Sequence, residues 1–306
     1  MTRPRIGLAL GSGSARGWAH IGVIAELIEA GIEPDIVCGT SIGALVGAAY
    51  VTGKLDALRQ WAEAATWREV VGLLDVHLSG GGLIDGKLVV ELLDRLGIAG
   101  VIGSQAKPFA AVATDLRTGR EVWLQSGPIQ DAVRASIALP GIFSPAARDG
   151  DWLVDGGLTN PVPVSLCRAL GADVIIAVNL NGELLGRRFV EEEPGASGAA
   201  ARDPGEFLRR IAGQLPASLG EPAADIASRL MTRGPAAPGY FDVLTNSINI
   251  MQDQITRARL AGEPPHVMLM PRLRDIGLME FNRAGDAIAE GRASVQQALP
   301  LLQRYR

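Results

Sequence analysis

Hydrophobic positions along the chain fall into two periods, short unbroken apolar runs and longer stretches with apolar residues every three or four positions. Ile6-Gly7-Leu8-Ala9-Leu10 is a run of the first kind, closed at once by Gly11-Ser12-Gly13-Ser14-Ala15-Arg16-Gly17. Beyond it Trp18, Ile21, Gly22, Ile24, Ala25 and Ile28 recur at helical spacing, so the pattern predicts strand, glycine-rich turn, helix. The same order follows again: a strand over Asp35 to Cys38, a tight turn over Gly39 to Gly43, and a small-residue helix from Ala44 to Thr52 that stops at Gly53. Residues 55–75 predict a helix with Leu55, Leu58, Trp61, Ala62 and Ala65 on one face, then a loop at Ser79 to Gly82 and an amphipathic helix from Lys87 to Leu96. Phe109 to Thr114 and Glu121 to Leu124 read as strands around the turn residues Arg117-Thr118-Gly119. A helix over Pro128 to Ser136 has proline in its first turn, and Trp152 to Val154 and Val174 to Val178 are further strands.

Unbroken apolar strands separated by helices imply an α/β fold with a mainly parallel sheet covered on both faces. Residues 182–239 break the pattern: Gly, Ala, Pro and charged residues dominate, and only pieces such as Phe207 to Leu215 look helical. This stretch reads as a mobile insertion, so the chain divides into residues 5–180, an insertion over 181–239, and residues 240–306 packing back on the first part. Within the last part a helix is expected over Asp242 to Ala261, a strand over His266 to Met270 and a final helix over Phe281 to Gln297. There are no internal repeats.

Composition narrows the classes. The 306 residues are 47% hydrophobic, enough for a sizeable core, and the formal charge of −4 gives no electrostatic case for nucleic acid. Cys38 and Cys167 lie far apart in apolar surroundings and are expected as buried free thiols. The basic start Met1-Thr2-Arg3-Pro4-Arg5 runs into glycines rather than a long apolar core, which argues against secretion. No stretch approaches the ~18 apolar residues of a membrane span. The expected location is cytoplasmic, with peripheral contact at the inner membrane face open. No His/Cys/Asp cluster has metal-ligand spacing, and no cofactor is implied.

Four segments carry candidate chemistry. Gly39-Thr40-Ser41-Ile42-Gly43 stands at a strand-to-helix junction, where a serine on a sharp turn is lifted clear of the backbone and the following helix directs amide groups at developing negative charge. The loop Gly11 to Gly17 presents backbone N–H groups suited to a phosphate or an oxyanion. It is not a dinucleotide fingerprint, because the third glycine falls one residue late, and it is not a nucleotide P-loop, because no Gly-Lys-Ser/Thr follows. Arg16 adds a cation that either anchors this loop, pairs with a structural carboxylate, or meets an anionic head group. Asp155-Gly156-Gly157 follows the apolar Trp152-Leu153-Val154, so a carboxylate at a strand end can approach a hydroxyl without obstruction, although Asp-Gly is also a common turn. The fourth, Ser136 to Pro145, is an apolar loop with two prolines, suited to shaping an acyl pocket or to a buried connection.

A serine nucleophile needs a proton acceptor. His20 lies in the helix after the glycine-rich loop and is expected to pack or cap there, while His77 falls in a surface segment. His266 alone follows Asp155, as a Ser–Asp–His order would require, but no acidic or glycine turn surrounds it. The poverty of histidine leaves aspartate as base, and Asp155 has the best local setting.

An Arg-containing glycine-rich loop, Gly-x-Ser-x-Gly and Asp-Gly-Gly, in that order, closely resemble the patatin-like phospholipases, in particular their bacterial members near the neuropathy-target-esterase branch. The resemblance covers residues 5–180 and resumes at Asn246 to Gln252. It implies a three-layer α/β/α fold of the acyltransferase/lysophospholipase kind with a mainly parallel sheet, and makes residues 5–180 the catalytic domain. It also implies a dyad of Ser41 and Asp155, and an oxyanion hole from the loop Gly11, Gly13, Ser14, Arg16 and Gly17, each donor worth ~3–4 kcal/mol in the transition state. Gly39 and Gly43 flank the nucleophile, and Gly156 and Gly157 follow the base. The family loop is usually Gly-Gly-Gly-x-Arg-Gly; here Ser12 and Ser14 replace glycines, which keeps the amides but adds a Cβ at residue 14.

The expected partner is a lipid ester cleaved by acyl transfer, with the amides of Gly13 and Ser14 holding the oxyanion. Phe189, Phe207, Leu208, Ile142 and Phe143 are the candidates for membrane contact, against simple burial. The competing class is a regulatory or adaptor protein of the same fold. An acyl-carrier transacylase would carry histidine where Thr40 stands.

Overall fold

The strands alternate in which core they feed, and this alternation builds the layers. In strand β1 (Ile6–Leu10) Leu8 and Leu10 join one apolar cluster and Ala9 the other; in β3 (Phe109–Asp115) Phe109, Ala111 and Ala113 face the first and Ala110 and Val112 the second. β7 (Val174–Val178) divides likewise into Ile176 and Val178 against Ile175 and Ala177. Successive strand residues point to opposite faces, so a strand that is apolar throughout must be covered on both. The computed structural model describes residues 3–66, 69, 86–182 and 240–305. His77, the loop Ser79 to Gly82, most of the helix expected beyond Ala65, the helical piece Phe207 to Leu215, and Phe189 and Leu208 lie outside the described residues.

Among the described residues the sheet has eight strands, paired in the order β5-β6-β3-β2-β1-β7-β8, with β4 also on β3. β2 is Ile36–Thr40, β4 Glu121–Leu124, β5 Ala146–Arg148, β6 Asp151–Asp155 and β8 Val267–Leu269. The pairs β1–β2, β1–β7, β2–β3 and β7–β8 are parallel, whereas β4 and β6 run antiparallel to β3 and β5 antiparallel to β6. The sheet is therefore mixed and mainly parallel.

Eight α-helices accompany it in the described residues. They are α1 (Ala19–Glu29), α2 (Ile42–Val51), α3 (Leu55–Ala64), α4 (Lys87–Arg95), α5 (Ile129–Ser136), α6 (Val164–Ala169), α7 (Tyr240–Gly262) and α8 (Ala284–Leu302). Helices α1 to α5 and α8 supply apolar residues to the first cluster, and α6 with Leu260 of α7 covers the second. Contacts divide the chain into two units, Met1–Glu183 with Met251–Arg306, and Leu184–Ile250. Of the second unit only the first turns of α7 are described.

Two short elements escape the sequence pattern, and one long helix differs from it in its bounds. α6 and β5 are too short to show a period, and the final helix starts at Ala284, after a 3-10 turn at Phe281–Arg283, and continues through Pro300 to Leu302. The helix expected from Leu55 is described to Ala64, after which Ala65 turns extended. Cys38 and Cys167 are buried and unlinked in the second cluster, where burial pushes the Cys38 thiol up. No helix among the described residues is long and apolar enough to cross a membrane.

Candidate active site

Two strands meet head to head to form the site. β2 pairs with β3 as far as Thr40 opposite Val112, and β6 pairs with β3 from Asp155 opposite Ala113. β4 lies along Ala111 to Thr114, so it takes the other edge of β3, and β2 and β6 share one edge. Since Val112 and Ala113 are neighbours, the last residues of β2 and β6 abut although 114 residues separate Ser41 from Asp155. The Ser41 hydroxyl donates to Asp155 Oδ2 at 2.6 Å.

The turn at Ser41 is strained in a definite way. Its φ is +57° and ψ −124°, a region that costs a residue with a Cβ on the order of 1–3 kcal/mol. The surroundings hold it there. Its N–H donates to Ser136 Oγ (2.8 Å), which in turn donates to the Val112 carbonyl (2.6 Å), and its carbonyl accepts from Ala44 and Leu45 in the first turn of α2. Gly39 and Gly43 are required by close approach: a Cβ on Gly39 would collide with the backbone of Gly43 and Ala44, and one on Gly43 with the carbonyl of Leu10.

Asp155 is 1% exposed. Burial pushes its carboxyl up to about 6 from the usual 3.8, partly offset by the Ser41 hydroxyl and by the Gly157 N–H, which donates to Oδ1 at 2.7 Å. Its N–H donates to Ala138 O and its carbonyl accepts from Thr114 Oγ1. Gly156 has no room for a Cβ beside the Val112 carbonyl. The segment after the base braces the rest: Asn160 O accepts from Thr40 Oγ1 (2.8 Å), and Pro161 O accepts from the Ser12 N–H (2.8 Å).

In the glycine-rich loop most amides are already spent. Gly11 donates to Val178 O, Ser12 to Pro161 O, Ala15 to Leu278 O and Arg16 to Gly13 O. The N–H groups of Gly13 and Ser14 have no acceptor among the described residues. Ser14 takes φ +51°, the left-handed region, so the Cβ introduced there is accommodated at the expense of strain. Gly17 packs on Ile42, leaving no space for a side chain. Arg16 is 6% exposed and anchors the loop: Nε donates to Ile276 O (2.8 Å) and Nη1 to Asn181 Oδ1 (3.4 Å).

The histidines sit elsewhere in role. His20 is fully buried, with Nε2 at 2.7 Å from Gly11 O, and burial lowers its ring to about 4, so the neutral ring donates to that carbonyl. His266 Nδ1 accepts from Ile175 N, near the start of β7 and so at the opposite end of the sheet from Ser41. The loop Ser136 to Pro145 is half-buried from Leu139 onward, and Phe143 packs on the first cluster under the Arg134 guanidinium. Thr114, Asn181 and Gln252 were not legible as site residues in the sequence, and Ser136 only as the start of the apolar loop, because each acts through hydrogen bonds across a long chain separation. No group of three or more His, Cys, Asp or Glu able to hold a metal occurs among the described residues.

These features define a class, a three-layer α/β/α protein with a half-buried serine paired to a buried carboxylate, beside a loop with two unspent amides. Residues 8–168 match the patatin-like phospholipase family. An uncharacterized NTE family protein of Mycobacterium tuberculosis (strain H37Rv) is 35% identical over 97% of this chain and 91% of its own length. Human patatin-like phospholipase domain-containing protein 6 is 32% identical over 60% of this chain and 14% of its own length. Among solved structures, VipD from Legionella pneumophila aligns with a TM-score of 0.46 at 13% identity, over 99% of this chain and 67% of that one. The chain belongs to the patatin-like phospholipase family, and so to the lipid acyl hydrolases in the broad sense.

Proposed function

We propose that the protein hydrolyses carboxylic esters of lipids, as a phospholipase A, lysophospholipase or related esterase, through Ser41 as nucleophile and Asp155 as base. The observation that carries this reading is the 2.6 Å hydrogen bond from a strained, elbow-mounted serine hydroxyl to a buried aspartate. Asp155 Oδ2 takes the proton as Ser41 Oγ bonds to the ester carbonyl carbon. The oxyanion accepts from the Gly13 and Ser14 amides. Asp155 then returns the proton to the departing alcohol, and water cleaves the acyl-enzyme with Asp155 again as base. A carboxyl raised to about 6 is ionised at neutral pH yet more basic than an ordinary aspartate, which suits both roles.

Ser41→Ala and Asp155→Asn should each lower ester turnover by ~10⁴-fold or more while the chain stays folded. A fluorophosphonate should label Ser41 alone. Near-wild-type turnover by Asp155→Asn overturns the dyad. A second reading, a regulatory protein of the same fold, draws support from the left-handed Ser14 in the amide loop; absence of a Ser41 adduct favours it. Action in the cytoplasm, with peripheral contact at the inner membrane face, belongs to the first reading, since the substrate is a lipid.

A further inference from the structure

Ser12 is held at two points. Its N–H donates to Pro161 O, and its hydroxyl donates to Gln252 Oε1 at 2.9 Å. The same Gln252 oxygen accepts from Asn181 Nδ2 (3.2 Å), whose own Oδ1 accepts from Arg16 Nη1 (3.4 Å). Ser12, Asn181, Gln252 and Arg16 are all at least nine-tenths buried, so none of these bonds exchanges freely with water. The Gly13 N–H belongs to the peptide that Ser12 begins. Fixing Ser12 at both its amide and its side chain therefore holds the frame of its Cα and restricts that N–H to rotation about a single dihedral.

The other end of the Gln252 amide reaches the turn that follows the base. A Cβ on Gly157 would meet Gln252 Nε2 and also Asp155 Oδ1, so the amide and the carboxylate flank the same glycine. That glycine donates the N–H that orients Asp155. One buried side chain, 240 residues away from Ser12 in the chain, thus touches both the loop with the unspent amides and the turn that holds the base.

We propose that Gln252 is a positioning residue that sets the oxyanion loop, through the Ser12 hydroxyl, against the Asp155-Gly156-Gly157 turn. The proposal rests on the Ser41–Asp155 reading. It gives the serine at residue 12 a purpose that a glycine there would lack. It also predicts that the defect on breaking the link falls on the transition state and not on substrate binding.

The test uses the full chain with a p-nitrophenyl butyrate assay and a trifluoromethyl ketone, whose adduct with Ser41 mimics the tetrahedral intermediate. Gln252→Leu should lower kcat by ~30-fold with KM within ~2-fold, and weaken the ketone in parallel with kcat/KM. Ser12→Ala should show the same signature, and the double variant should be no worse than the poorer single one. Gln252→Glu keeps the acceptor but adds negative charge near Asp155. It should recover kcat at high pH while the acidic limb of the pH profile moves upward.

The proposal is overturned if Gln252→Leu and Ser12→Ala both keep kcat within ~3-fold, or if their losses multiply in the double variant. Loss of activity only in step with loss of folded protein in a thermal melt also overturns it. Should Gln252→Leu not fold, Ser12→Ala, which removes a single hydroxyl, decides. Ser41→Ala is assayed alongside: activity surviving there sinks the nucleophile reading itself. An inactive Ser41→Ala with unaffected Ser12 and Gln252 variants sinks only the positioning role.

Discussion

Ser41 and Asp155 illustrate how a single contact is made useful by what surrounds it. A serine in a favourable helical conformation would bury its hydroxyl along the helix. The φ of +57° aims it away from α2 and toward β6, and Ser136 supplies the acceptor that the turned N–H would otherwise lack. Asp155 is almost without solvent, and desolvation outweighs the two hydrogen bonds that favour its charged form. Catalysis needs that charged form. Ester turnover should therefore be level above neutrality and fall about tenfold per pH unit below the carboxyl's value near 6. A pH profile of kcat/KM checks this, and a limb near 4 would mean that Asp155 is not the titrating base.

Among the elements, the tightest contact is between α1 and α8. A Cβ on Gly22 would strike the carbonyl of Ile288, and one on Gly291 the carbonyl of Ala19, so the two helices touch backbone to backbone at this pair. The crossing is tied at its margin by Arg292, which pairs with Glu26 and Glu29 at 2.9 Å each. In an isolated helix Gly→Ala gains about 1 kcal/mol. Here the added methyl has nowhere to go, and overpacking of this kind costs ~1–3 kcal/mol or more. Gly291→Ala should thus destabilise the protein by at least about 1 kcal/mol in urea unfolding, the opposite sign to the helix-propensity expectation. A stabilised variant would show that the helices separate at little cost.

At the scale of the whole molecule, two buried titrating groups pull its stability in opposite directions across mildly acidic pH. The Asp155 carboxyl is raised, so the folded chain binds more protons than the unfolded one between about 4 and 6, and stability falls as pH rises through that window. The His20 ring is lowered to about 4, so the unfolded chain binds more protons between about 4 and 6.5, and stability rises with pH there. The two slopes are each at most about 1.4 kcal/mol per pH unit and largely offset. Removing one group exposes the other. From pH 4 to 6 the His20→Gln variant should lose stability, while Asp155→Asn should gain it. Chemical denaturation at several pH values measures both, and slopes of the same sign would contradict the account.

Much of this was legible along the chain. The strands expected over 6–10, 35–38, 109–114 and 174–178 were legible because a strand covered on both faces carries an almost unbroken apolar run. The glycines at 39, 43 and 156 marked the site because close backbone approach leaves no room there for a side chain, and they stand at fixed short spacings from Ser41 and Asp155 in the sequence. The shortage of histidine pointed to a carboxylate base, and the fold keeps His20 and His266 occupied with backbone groups.

What the sequence alone did not decide is how distant segments meet. That β6 turns back antiparallel and ends where β2 ends is a matter of sheet order, set by pairing energies summed over the whole sheet. That Ser136 satisfies the nucleophile's amide, and that Gln252 seats against Ser12 and Gly157, depends on single contacts between residues tens to hundreds apart, which leave no period and no local composition to read. The serine, the aspartate and their glycines were fixed by local geometry. Their meeting was decided only when the chain packed, because distances across a sheet follow from strand order and not from sequence separation.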